Sequence, residues 1–127
     1  MLSKTITIGL TSIGLAAFAG GIPAADATTA AAASVTVTIT AEGTDMSGVV
    51  KSSRPGVCAA DRTVKVFKLV HGEPHLWATD TTDLQGGKYV WSTGNTGTEG
   101  RFFAKVGKKP GCQGDVSPTI RVRRNPN

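Results

Sequence analysis

The chain has 127 residues, with 14 Lys+Arg against 9 Asp+Glu, for a net charge of +5, and only two cysteines and two histidines. That length fits one domain of modest size. Two thiolates close no tetrahedral zinc site by themselves, no Cys-x-x-Cys pair occurs, and the residues call for no metal or other cofactor.

The first 27 residues read as a secretory signal peptide. Lys4 supplies a short positive start, an apolar run extends over 6–18, and small-residue cleavage sites follow at Ala17-Phe18-Ala19 and Ala25-Asp26-Ala27. The run is too short to span a bilayer as a helix. Residues 28–34 form an Ala-rich spacer, expected to be a mobile tail, ahead of a folded domain over 35–124 and a tail at 125–127. The mature product is expected to be released and monomeric, with no membrane span.

Within 35–41 the sequence VTVTITA alternates Val35, Val37, Ile39 and Ala41 with threonines, the period-two pattern of a half-buried strand. MSGVVKS over 46–52 reads as a second strand, with Gly48 marking a bulge or a close backbone approach. SRPGVC and GKKPGC then each deliver a cysteine just after Pro-Gly, a pair favouring a type II turn. Export exposes Cys58 and Cys112 to oxidising conditions, so a disulfide is expected, tying loops at one end of a sheet pair. Closing a loop of that length stabilises by about 4 kcal/mol in the chain-entropy treatment.

Three strands are expected at 62–70, 76–82 and 88–91, joined by the turn-rich links HGEPH and DLQGG. In the first, Val64, Val66 and Val70 take one side and Phe67 and Leu69 the other, which predicts a central strand or a bulge near Phe67. In the DLQGG turn, Asp83 is the expected cap, and Gly86 or Gly87 supplies positive φ. Residues 100–106 place Phe102, Ala104 and Val106 inward with Arg101 and Lys105 outward. Residues 119–123 place Ile120 and Val122 inward with Arg121 and Arg123 outward. The pattern predicts an all-β chain, a small antiparallel β-sandwich of about seven strands preceded by a signal-peptide helix.

The run Cys58-x3-Arg62-x-Val64-x-Val66-Phe67-Lys68 is followed by Thr82-Asp83-x-x-Gly86-x-Lys88-Tyr89-x-Trp91, and then by GRFFAKV over 100–106, the second cysteine and a final Thr-Ile-Arg-Val strand. As a set these resemble small secreted bacterial domains of the transthyretin-like, or carboxypeptidase regulatory-like, β-sandwich group, whose architecture Cna B-type surface domains share. The resemblance covers roughly residues 46–122. It implies an immunoglobulin-like or transthyretin-like fold and an extracellular setting, and it carries no catalytic residues across.

The remaining chemistry is sparse. His71 and His75 fall in a link expected to be a solvated hairpin loop, where an i, i+4 spacing does not place two imidazoles on one face. Asp80 and Asp83 lack the alternating oxygen ligands of a calcium loop. No Gly-x-Ser-x-Gly elbow appears, so no enzymatic activity is expected. Trp77, Tyr89 and Trp91 read as core. Half of the basic residues, Arg101, Lys105, Lys108, Lys109, Arg121, Arg123 and Arg124, fall in the last 27 positions. If their strands share a sheet they form a basic stripe, without interleaved aromatics, facing an anionic cell-surface polymer or glycan. The other reading is a solvated face guarding sheet edges. A purely structural or protein-interaction module, pairing through an open sheet edge, is the alternative function, and a small hydrolase or metal-binding protein centred on His71 and His75 ranks third.

Overall fold

Ladders of alternating apolar residues build two antiparallel sheets in the computed structural model, which describes residues 31–125. The signal peptide read at 1–27 lies outside the described residues, as do positions 28–30 and 126–127. The described residues form an all-β sandwich of ten short strands and a single helical turn.

The first sheet contains β1 (Val35–Val37), β2 (Thr40–Glu42), β3 (Asp45–Ser52), β6 (Asp83–Gln85) and β7 (Lys88–Asn95). β1 and β2 both pair with β3, β3 pairs with β7, and β7 with the edge strand β6. Val35, Val37 and Ile39 are buried as the alternation requires, whereas Ala41, expected to continue the series, is exposed. The ladder breaks between β1 and β2. There the buried Trp91 indole N–H donates to the Thr38 carbonyl at 3.1 Å. Gly48 makes room for that carbonyl: a Cβ on Gly48 would stand 1.9 Å from Thr38 O. The close approach expected at Gly48 is therefore real, and the β3–β7 register shifts beside it, between Met46 and Ser47.

Gly86 and Gly87, at φ +57° and +79°, make the two-residue turn from β6 to β7, the pattern of a type I′ hairpin. Asp83 does not sit in that turn. It pairs with Val90 as part of β6, so the link DLQGG is half strand and half turn.

The second sheet holds β4 (Thr63–Val70), β5 (Glu73–Thr81), β8 (Gly100–Val106), β9 (Asp115–Val116) and β10 (Ile120–Val122). β4 is central, between β5 and β8, and its ladder with β5 shifts between Val66 and Phe67, so both features expected of it occur. Phe102, Ala104, Val106 and Val122 are buried and Ile120 packs against the core, as predicted. The expected five-residue loop HGEPH shrinks to His71 and Gly72, at φ +53° and +80°; Pro74 and His75 belong to β5. A two-residue type I′ turn matches the twist of the flanking strands, and proline is accommodated because β5 is an edge strand.

The two Pro-Gly cysteines behave differently. Gly111, at φ +80°, gives the expected type II turn, closed by the Cys112 N–H on Lys109 O at 2.9 Å. Pro55-Gly56 instead opens one helical turn, α1 (Pro55–Cys58), with the Cys58 N–H on Arg54 O at 2.7 Å. Proline suits a first helical position because its missing N–H has no partner there in any case. Both elements still lie at one end of the sandwich, where Cys58 and Cys112 form a disulfide with Cα atoms 5.5 Å apart.

Two seams join the sheets. At one, Ala33 is buried; its N–H donates to Gly111 O and its carbonyl accepts from Gln113 N–H, both at 2.9 Å. The spacer expected to be a loose tail is thus docked by residue 33, because its backbone finds ladder partners beside the disulfide. The Asp115 carboxylate accepts the Val37 N–H at 2.9 Å along the same seam. At the opposite seam, Asp80 accepts the Ser92 N–H at 2.8 Å, just past the point where β6 ends.

Candidate functional site

With Val64, Val66, Phe102 and Ala104 turned inward, the alternate residues of β4 and β8 form the outer face of the second sheet. Register sets their neighbours. Arg101 stands opposite Leu69 on one side and Arg121 of β10 on the other; Phe103 stands opposite Phe67; Lys105 stands opposite Lys65 and Val116. The Phe67 and Phe103 rings stack with centroids 5.2 Å apart and planes inclined by 17°. Leu76 of β5, opposite Phe67, widens this apolar strip and is 55% exposed.

The face therefore reads, along the strands, as an arginine pair, a stacked phenylalanine pair and a lysine pair. None of these outward positions on β4, β8 or β10 carries an acid. Like charges directly opposite each other in a ladder destabilise it, and stacked aromatics left half-exposed forgo part of their burial. Folding alone favours neither arrangement.

Beyond the lysine pair the face deepens into an open cavity of about 440 Å³, lined by Asp61, Arg62, Thr63, Lys65, Phe67, Lys105, Gly107, Lys108 and Lys109. Arg62 is only 4% exposed. Its guanidinium donates to Cys58 O at 2.7 Å and to Gly107 O, bracing the end of α1 against the loop that carries Lys108 and Lys109. Its backbone N–H donates to the Thr82 hydroxyl at 3.0 Å, and that hydroxyl donates to Ala59 O at 2.6 Å. Burial lowers the Arg62 pKa from its ordinary value. A guanidinium starts so high that it still carries its charge at any physiological pH.

The seven basic residues picked out in the sequence do not form one continuous stripe. Arg101, Lys105 and Arg121 share the outer face, while Lys108 and Lys109 rim the cavity at its end. Arg123 is exposed beyond β10, beside Glu99 and Arg121. Arg124 is engaged elsewhere, its backbone N–H on the Glu99 carboxylate at 2.7 Å and its guanidinium on Gly97 O at 3.0 Å. These contacts draw the segment after β10 onto the loop before β8. The expectation that aromatics are absent among the cations is also corrected, since Phe67 and Phe103 lie between the two pairs.

Sequence reading missed Lys65, Arg62 and the phenylalanine pair as site residues. The available signal was the outward phase of Phe67 and Leu69, which Lys65 shares at two-residue spacing.

Of the three aromatics read as core, Trp91 is buried and Tyr89 packs against the core, but Trp77 is 44% exposed. It occupies the shifted part of the β4–β5 ladder, edge-on to Phe102 at 6.3 Å, with the Lys68 ammonium 5.0 Å above its ring. His71 lies in the tight turn and His75 opposite Lys68 in β5. Among the described residues no three His, Cys, Asp or Glu side chains group as a metal site, and no helix is long and apolar enough to cross a membrane.

No protein-family model matches the chain, and no curated protein matches its sequence.

Proposed function

We propose that this is a secreted, non-enzymatic β-sandwich of the transthyretin-like, carboxypeptidase regulatory-like kind that binds an anionic glycan at a cell surface. Binding takes place on the outer face of the second sheet. The observation that carries the reading is the arrangement of two directly opposed cation pairs around the stacked Phe67 and Phe103 rings. Flat ring faces receive the C–H face of a sugar, and the flanking arginines and lysines meet acidic groups on neighbouring sugars. An anionic ligand also removes the like-charge repulsion within each pair, so the binding strength is coupled to a cost the free protein bears. The leader layout of 1–27 and the disulfide support an oxidising destination outside the cell.

The alternative, a partner strand added to an open edge, has less support. The edge strand β5 carries Pro74 and a register shift, and β6, the edge strand of the other sheet at the same seam, is three residues long. These are devices that discourage strand addition.

The test is binding of the oxidised domain to a sulfated and a neutral polysaccharide at two salt concentrations. Polyelectrolyte contacts are expected to weaken by at least about tenfold between 50 and 200 mM salt, and less steeply in Arg101→Gln/Arg121→Gln. Equal affinity for the neutral chain, or no binding at low salt, rejects the reading.

A further inference from the structure

The cavity beside Lys65 and Lys105 differs in kind from the open face it adjoins. Five cationic side chains, those of Arg62, Lys65, Lys105, Lys108 and Lys109, line it together with the Thr63 residue, against one acid, Asp61. Four of the cations are exposed lysines, while the fifth is a buried arginine. Arg62 has five N–H donors, and the Cys58 and Gly107 carbonyls take one from each terminal nitrogen. Arg62 shares the inward phase of Val64 and Val66, so its charge is buried and met by two backbone carbonyls, while the lysines stand exposed on the outer side.

We infer that this recess is a subsite for a single tetrahedral oxyanion, a sulfate or phosphate ester group, held by the exposed ammonium groups of Lys65, Lys105, Lys108 and Lys109, with the buried Arg62 bracing its wall. Its assignment to a polymer rests on the glycan-binding reading above; its assignment as an oxyanion site rests on the recess alone. A tetrahedral ester offers three terminal oxygens in three directions, which suits donors converging from β4, β8 and the loop after β8. A planar carboxylate offers two oxygens in one plane and leaves more of these donors unmatched. The volume exceeds that of one oxyanion, leaving room for the sugar or chain segment that bears it.

The walls of the recess are held by the disulfide. Lys109 begins the turn that ends at Cys112, and Cys112 is bonded to Cys58, whose carbonyl is one of the two acceptors of the Arg62 guanidinium. Cutting the Sγ–Sγ bond removes the covalent tie between these walls and leaves the Arg62 hydrogen bond to Gly107 O as the link between them. Oxyanion affinity is therefore expected to depend on the disulfide, even under conditions where the sandwich stays folded.

The test titrates inorganic sulfate, inorganic phosphate and acetate, at matched ionic strength, into the oxidised full domain, followed by backbone amide NMR. Sulfate and phosphate are expected to saturate one site, with shifts centred on residues 61–65 and 105–111 and an affinity at least tenfold above that of acetate. Lys108→Gln/Lys109→Gln, which changes only exposed side chains, is expected to weaken sulfate binding about tenfold, or 1.4 kcal/mol. Lys51→Gln/Lys88→Gln removes the same charge from the first sheet and is expected to leave sulfate binding unchanged. Cys58→Ala/Cys112→Ala, at a temperature where its amide dispersion remains native, is expected to weaken it as well. Equal binding of acetate, shifts spread over the whole surface, or equal losses in the two lysine double variants overturns the subsite. Those outcomes leave the glycan reading standing if sulfated polymer still binds. Saturable sulfate binding without polymer binding overturns the glycan reading and keeps the subsite for a free oxyanion.

Discussion

The outer faces of the two sheets cover the same core and solve the polar-surface problem in opposite ways. On the first sheet, Thr38, Thr40, Ser47, Asp83, Gln85 and Ser92, together with Val49 and Val90, line a broad depression that Asp80 of β5 borders. Several of these groups bond to backbone close by: the Val49 N–H donates to the Thr38 hydroxyl at 3.0 Å, and the Thr40 hydroxyl donates to Ser47 O at 3.4 Å. The Asp80 carboxylate closes the seam. On the second sheet, the charges along the ladder meet like charges. Hydroxyls turned back on their own ladder leave little to offer a ligand, whereas unneutralised cations beside stacked rings leave a great deal. The comparison makes the second sheet the face on which the proposed binding is to be tested, with the first sheet as its control.

The largest effect expected is on what both faces share. Reducing Cys58–Cys112, or replacing both cysteines by alanine, is expected to lower stability by about 4 kcal/mol, read as a marked fall in Tm under calorimetry. Intact thiols in the purified protein, measured by mass, would contradict the cross-link outright. Gly48→Ala comes next, with a loss of about 3 kcal/mol in chemical denaturation, because backbone rather than a movable side chain occupies the space of the new methyl. A wild-type midpoint in that variant would mean that β1 and β2 do not cross β3 as described.

Smaller effects separate the faces. Lys105→Glu turns a repulsive pair with Lys65 into an attractive one, so stability is expected to rise by about 0.5 kcal/mol while binding to sulfated polysaccharide falls at least tenfold. Stability and binding moving down together would argue that the lysine pair is structural. Thr40→Ala on the first sheet is expected to change stability by less than about 0.5 kcal/mol and to leave binding untouched. A binding defect there would break the assignment of the two faces.

What was legible in the sequence was whatever is local. The inward run of Phe102, Ala104 and Val106 and the positive φ of Gly86 and Gly87 follow from side-chain period and turn chemistry within a few residues. The crowding at Gly48 announced itself as a glycine inside a strand pattern. Composition and export signals led to the disulfide. Register between distant strands was not legible. Lys65 meets Lys105 only because β4 pairs with β8, and nothing near Lys65 announces that partner. Identical dipeptides also proved insufficient, for Pro55-Gly56 began a helical turn while Pro110-Gly111 made a type II turn. HGEPH was over-read as a loop because proline argues against a strand in general, though not at an edge.

The docking of Ala33 against the disulfide loop has a mechanical consequence. A pull exerted from the upstream side enters the domain at its cross-linked end, where Ala33 bonds with Gly111 and Gln113. Load crossing there passes first through these two hydrogen bonds and then into a loop that the disulfide ties to the segment leading into β4. The arginine end of the outer face lies at the far end of β8, away from that anchor point. A domain pulled in this way takes up tension at its cross-linked end, away from the outer face that carries Arg101 and Arg121.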